Sequence, residues 1–180
     1  CVGRFYNRLN DDYRAMHALC RFFLEHSGPS HKVGDRTFLP FLVNMARLYE
    51  LFVAEWLRQH LDTTCFQLKA QDTVTLGKHQ DLRFNIDLTL YDVKTQRVLC
   101  VLDTKYKAVE VPAQSELSQI VMYAELKGCE DADLIYPERV SFEEQVGRIH
   151  VRSLRFSVEG DLEVSGRAFR DRLLSYYGGG

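Results

Sequence analysis

Asp87, Asp103 and Lys105 are the residues whose types and spacing could do hydrolytic chemistry in this chain. Asp103 and Lys105 stand two apart in the apolar run 99-LCVLDTKYKAV-109. Side chains at i and i+2 of a strand share a face, so the pair shares a surface. A second strand-like run, 82-LRFNIDLTLY-91, precedes it across the polar turn 92-DVKTQR-97. Asp87 and Asp103 are equidistant from Thr95, so a hairpin folded there sets the two carboxylates directly opposite, with Cβ atoms about 4.5–5.5 Å apart. Like charges so placed destabilise a sheet unless something positive sits between them. A hard divalent cation answers that need. Mg²⁺ takes oxygen ligands, uses one or two protein carboxylates and keeps positions for water or a phosphate. Lys105 could then orient or deprotonate an attacking water and neutralise charge on a phosphoryl group. The bland alternative is a lateral Asp103 and Lys105 ion pair at a sheet edge, with Asp87 merely solvated.

The elements around these residues have to hold them still. Ile86, Leu88 and Leu90 are expected on the far face of the first strand, and Cys100, Leu102 and Tyr106 on that of the second. A strong amphipathic helix covers 40-PFLVNMARLYELFVAEWLRQHL-61, with Leu42, Met45, Ala46, Tyr49, Phe52, Val53, Trp56 and Leu57 as its stripe. Glu50, at the edge of that stripe, could supply a third oxygen ligand or bind a metal-held water, or could be a solvated helix glutamate. Pro112 and Ser115 open a helix through 116-ELSQIVMYAELKG-128, closed by Gly128. Gln119 and Tyr123 lie i,i+4 on it and could reach Lys105 or a phosphate; a half-exposed helix rim explains them equally well.

Elsewhere, apolar residues at three- and four-residue steps predict a helix over about 4–26, and 27-SGPSHKVGDRT-37 reads as a loop. Candidate strands are 64–71, 72–76, 133–137, 148–158 and 162–165, the last two flanking the turn Glu159-Gly160-Asp161, with a final helix over about 166–176. The pattern predicts an α/β fold, a central mixed sheet flanked by helices. It divides into an N-terminal helical segment, 1–62, packing on the core and contributing Glu50, and a core, 63–180. One compact domain excised from a longer protein is the expected whole.

The composition, 46% hydrophobic and 27% charged, suits a sizeable core. No apolar run approaches the roughly 18 residues of a membrane span, and no signal peptide opens the chain, so a cytoplasmic protein without membrane contact is expected. Cys1, Cys20, Cys65, Cys100 and Cys129 contain no CxxC, against a zinc ribbon, an iron–sulfur cluster or a disulfide framework. The six histidines lack ligand spacing, and GxSxG, HExxH and Gly-rich phosphate loops are absent. A net charge of -2 means that any nucleic-acid contact needs a local basic patch. Lys78, Arg83, Lys94, Lys105 and Lys107 are expected near the acids, while Arg148, His150 and Arg152 share one face of a later strand, read as solvated or as a DNA contact.

The order of a helix with glutamate, an aspartate, DxK, QxxxY and LIYP resembles the PD-(D/E)xK nuclease superfamily. Within it the chain is similar to the nuclease domain of McrC-family proteins, the cleavage subunit of modified-cytosine restriction systems. The stretches that carry this are 48-LYELFVAEWL-57, 86-IDLTLYD-92, 100-CVLDTKYK-107, 119-QIVMYAEL-126 and 134-LIYP-137, about half the chain. The family commonly has a proline before the first acid; Ile86 stands there instead. The resemblance implies a restriction-endonuclease-like core, with Asp87 and Asp103 as metal ligands, the Thr104 backbone carbonyl as a further ligand, Lys105 at the attacking water and Glu50 as accessory acid. Gln119, Tyr123 and Lys107 become accessory or DNA-facing residues. It further implies Mg²⁺ as cofactor with Mn²⁺ substituting, double-stranded DNA as substrate, and an AAA+ GTPase partner, McrB-like, engaged through a segment N-terminal to this one. Nothing here resembles a P-loop, so GTP hydrolysis is assigned to that partner.

Three functions are weighed: a Mg²⁺-dependent DNA endonuclease, a superfamily relative such as a RecB-like exonuclease or junction resolvase, and a catalytically idle nuclease fold that assembles with or clamps DNA for a motor. End-labelled linear DNA against closed circles separates the first two, and metal titration separates the third.

Overall fold

The computed structural model describes residues 43–77 and 82–177. The chain separates by its internal contacts at Val43 and Asn44, and the architecture below is that of the second unit. The helix expected over 4–26 and the loop over 27–37 lie outside the described residues, as does Lys78.

Helix α1, Met45–His60, starts where the Asn44 side chain accepts the Arg47 amide at 3.0 Å. Strand β1, Phe66–Leu76, is antiparallel to β2, Leu82–Asp92, and β2 to β3, Val98–Thr104. Helix α2, Gln114–Lys127, then crosses over to β4, Asp131–Tyr136, which lies parallel to β3. Gly128, in the left-handed region at φ 68°, ends that helix as its sequence suggested. A short β5, Glu143–Val146, turns through Gly147 and Arg148 into β6, Ile149–Arg155, which runs parallel to β4. Helix α3, Leu162–Leu174, closes the described structure.

Among the described residues this makes a six-stranded mixed sheet, ordered β1-β2-β3-β4-β6-β5, with helices on both faces. The α/β class with a mixed sheet and flanking helices is therefore observed, compatible with a restriction-endonuclease-like core. One layer joins Tyr49, Val53, Trp56 and Leu57 of α1 and Phe169 and Leu173 of α3 to Leu88, Leu90, Cys100 and Leu102. The other joins Ile120, Tyr123 and Ala124 of α2 to Ile86, Val101, Leu134, Tyr136 and Val151. Strands β3 and β4 are covered on both faces, which is why they read as nearly continuous apolar runs. No helix among the described residues is long and apolar enough to cross a membrane.

Several expectations are corrected. The two strands drawn over 64–71 and 72–76 are one strand, and its irregular point is Gln71, at φ 52°. Residues 162–165 are not a strand: Asp161 Oδ1 accepts the amides of Glu163 and Val164 and starts α3 there. The hairpin partner of β6 is instead β5, whose wholly exposed residues gave no burial alternation to read. Met45 and Ala46 are exposed, so the buried stripe of α1 begins at Tyr49. Strand β3 stops at Thr104, although Lys105 extends it by one bond, its amide donating to the Ile135 carbonyl at 2.8 Å.

Candidate active site at a fork in the sheet

The β2 and β3 ladder pairs Leu90 with Cys100, Thr89 with Val101 and Leu88 with Leu102. One further step in that register sets Asp87 opposite Asp103, as the turn centred on Thr95 demands. The ladder ends before that step, while β3 stays paired with β4 as far as Thr104 and Ile135. Strand β2 thus parts from β3 at the acids. Asp87 fills the fork: its Oδ2 accepts the Thr104 amide at 2.9 Å and the Thr104 hydroxyl at 3.0 Å.

The same point reverses the strand's faces. Leu88 and Leu90 pack in the layer of α1 and α3, whereas Ile86 packs under α2. Ile86 therefore does not share a face with Leu88 and Leu90, as the period-two reading required. The cause is local: on β1, Ala70 pairs with Leu88 and Asp72 with Ile86, and between them Gln71 adopts its left-handed conformation across from Asp87. Phe66 and Leu68 accordingly belong to one layer and Val74 to the other.

Asp103 is buried at 2% exposure, with Lys105 Nζ 2.5 Å from its Oδ2. The Lys105 ammonium is thus the group that meets this buried oxygen. Burial pushes the Asp103 carboxyl up to about 6, reinforced by the Asp87 charge, with Lys105 opposing. For Lys105, burial works against the charged form, but Asp103, Asp87 and Glu116 outweigh it and hold its pKa above the ordinary value. The ammonium is charged at neutral pH. Its other contact is the Gln119 carbonyl at 3.4 Å, and Gln119 Nε2 in turn donates to the Tyr123 hydroxyl at 2.8 Å. Lys105, Gln119 and Tyr123 thus form one chain, as their spacing allowed.

Glu50 reaches the site indirectly. Its Oε1 accepts from Arg47 on its own helix and from Gln71 Nε2 of β1. Among the described residues no three His, Cys, Asp or Glu side chains are gathered to hold a metal ion. Glu50 accordingly does not close a three-carboxylate cage with Asp87 and Asp103. Lys107 turns to Glu116, 2.9 Å away, rather than to the acids.

Gln71 and Glu116 escaped the sequence reading, and Thr104 was read only for its carbonyl. Gln71 ties Glu50 to the strand position facing Asp87; the break drawn after residue 71 was its only trace. Glu116 accepts the Ala113 amide at 2.9 Å and the Tyr136 hydroxyl at 3.2 Å while pairing with Lys107, and so anchors the start of α2 beside Asp103. A glutamate at the third position of a helix is the signal that could have found it. Thr104 acts through its amide and hydroxyl.

The proposed basic surroundings are revised. Lys94 sits in the turn at the far end of the β2 and β3 hairpin from the acids. Arg152 is 1% exposed and holds Asp133 bidentately at 2.7 and 2.9 Å, so it is neither solvated nor a DNA contact. Arg148 is taken by Glu125, and His150 lies between Asp131 and Glu143.

The donor set suits a hard cation. Asp103 offers a buried carboxylate, Asp87 a carboxylate with one oxygen fixed by Thr104, and both supply the oxygen donors such an ion takes. Fold and site together define an α/β protein with paired carboxylates and a lysine at the parting of two sheet strands. A family model described as McrBC 5-methylcytosine restriction system component matches residues 4–137, well over half the chain and every site residue named above. The chain belongs to this family and is a McrC-like restriction-system component. No curated protein matches the chain.

Proposed function

We propose that this chain is a DNA endonuclease of the PD-(D/E)xK type, hydrolysing phosphodiester bonds of double-stranded DNA with Mg²⁺, or Mn²⁺ in its place. The observation that carries the reading is the convergence of Asp87 and the buried Asp103 at the fork, with the Lys105 ammonium against Asp103. Asp87, Asp103 and the Thr104 carbonyl are the groups that would hold the metal. When bound, the cation would polarise the phosphoryl group and supply an activated water.

The chain's own residues do the rest. Thr104 fixes one Asp87 oxygen and leaves the other toward the fork. Gln119, braced by Tyr123, holds the Lys105 ammonium beside Asp103, where it orients the attacking water and offsets charge on the phosphate oxygens. Glu50, through Gln71, is an accessory acid that restrains the strand opposite Asp87. The family's name pairs two components, which supports a McrB-like partner; an AAA+ GTPase motor in that role, engaged through a segment N-terminal to this sequence, completes the reading. The reaction class is tested with closed circular DNA against end-labelled linear DNA in Mg²⁺. Nicked circles establish an endonuclease; release of label from linear ends with circles untouched establishes an exonuclease and overturns the reading.

A further inference from the structure

A cavity of about 370 Å³ opens beside the carboxyl end of β6, lined by Arg139, Ser141, Phe142, Glu143, Arg155 and Arg172. Its lone carboxylate, Glu143, is already bonded by Arg172 at 3.0 Å and by the Tyr176 hydroxyl at 3.0 Å. Arg139 and Arg155 are exposed and make no ion pair with any described residue, and the one hydrogen bond from the Arg155 side chain is a long one, 3.5 Å, to the Pro137 carbonyl. Arg148, Arg152 and Arg170 are all paired with acids. The cavity therefore carries excess positive charge on a chain whose net charge is -2.

Its place in the sheet relates it to the fork. Thr104 pairs with Ile135 and Ile135 with Leu154, so the next row across the three parallel strands is Lys105, Tyr136 and Arg155. Two strand spacings separate the ends of that row, about 10 Å.

The geometry points to Arg139 and Arg155 as a binding site for backbone phosphates of the DNA, on the same strand that would be cut at the fork of Asp87 and Asp103. This rests on the nuclease reading above and adds to it the surface that tracks the strand. Arginine suits the task, since its planar fork matches phosphate oxygens and its charge is permanent. Neutralising a phosphate releases counterions, so each contact adds about 0.9 to the slope of log affinity against log salt.

The test measures binding of the intact chain to fluorescently labelled double-stranded DNA over a salt series, in metal-free buffer. The Arg139→Gln, Arg155→Gln double variant is expected to flatten the slope by about 1.8 and to weaken binding at low salt. The Arg139→Lys, Arg155→Lys variant, which keeps the charge, is expected to retain the slope. Arg97→Gln, an exposed cation at the far end of the hairpin, is expected to change nothing. An unchanged slope in the glutamine variant overturns the phosphate site, while metal-dependent nicking by that same variant leaves the nuclease reading standing. Wild-type protein that neither binds DNA nor nicks it overturns both.

Discussion

Asp87 accepts both the backbone amide and the side-chain hydroxyl of Thr104, at 2.9 and 3.0 Å, in the opening where β2 parts from β3. The amide that Thr104 turns toward β2 is satisfied by a carboxylate, so the fork costs no unpaired donor. The acid is fixed at one oxygen. Thr104→Val keeps the amide bond and removes the hydroxyl. A hydrogen bond to a charged group contributes about 1.5–3 kcal/mol, so a cleavage loss of roughly tenfold to a hundredfold is expected with the fold retained. Rates measured beside circular dichroism check this; full activity in the variant would show that the hydroxyl positions nothing.

Gln119→Ala should release Lys105 from α2 and lower the cleavage rate by about tenfold. Tyr123→Phe, which removes only the brace on Gln119, should cost less. Lys105→Ala should cost more than either. Single-turnover rates for the three variants give the order, and a Tyr123 effect larger than that of Lys105 would reverse the chain of dependence argued here.

Metal binding should stabilise the folded protein by mass action, since the cation binds the assembled fork and not the unfolded chain. Mn²⁺ or Mg²⁺ should raise the melting temperature of the wild type and leave that of an Asp87→Asn, Asp103→Asn variant unmoved. An equal rise in both proteins would place the cation elsewhere.

The packing of α1 on α3 offers a test of the core. A Cβ added at Gly166 would stand 2.2 Å from the Trp56 ring. Gly166→Ala should therefore destabilise the protein by about 1–3 kcal/mol through overpacking. Trp56→Leu in the same chain should recover part of that loss, as a double-mutant cycle in urea would read.

Asp72, whose partners are Lys127 and Tyr91 rather than the acids of the fork, gives a separate pH test. Burial alone would raise its pKa, but Lys127 Nζ at 2.5 Å and the Tyr91 hydroxyl at 2.7 Å outweigh it and hold the carboxyl below the usual range. A folded pKa below the unfolded value, near 3.9, contributes stability above that value and loses it as pH falls through the folded pKa. The stability gap between wild type and Asp72→Asn should thus be widest at neutral pH and shrink as pH falls below the unfolded pKa and through the folded one. A gap independent of pH would mean that Asp72 is not held as an ion.

The site was legible where chemistry follows local spacing. The polar turn about Thr95 set the register of the acids, and the ladder through Leu88 and Leu102 keeps it. Gln119 and Tyr123 were placed by helical periodicity alone, and their hydrogen bond follows from it. The fork was not legible, because glutamine carries no mark of a positive φ and nothing near 86-IDL-88 announces a reversal of faces. Likewise 162-LEVS-165 alternates as a strand does; only the Asp161 cap decides for helix, and a cap is a matter of three-dimensional geometry. Arg152 looked like one of an exposed basic row because its partner, Asp133, lies on a different strand.

The most direct test of the central claim is nicking of closed circular DNA at high protein concentration in Mn²⁺ and in Mg²⁺, with Asp103→Ala alongside. The account predicts nicking that requires metal and vanishes in the variant while its fold is kept. Undiminished nicking by Asp103→Ala would contradict it.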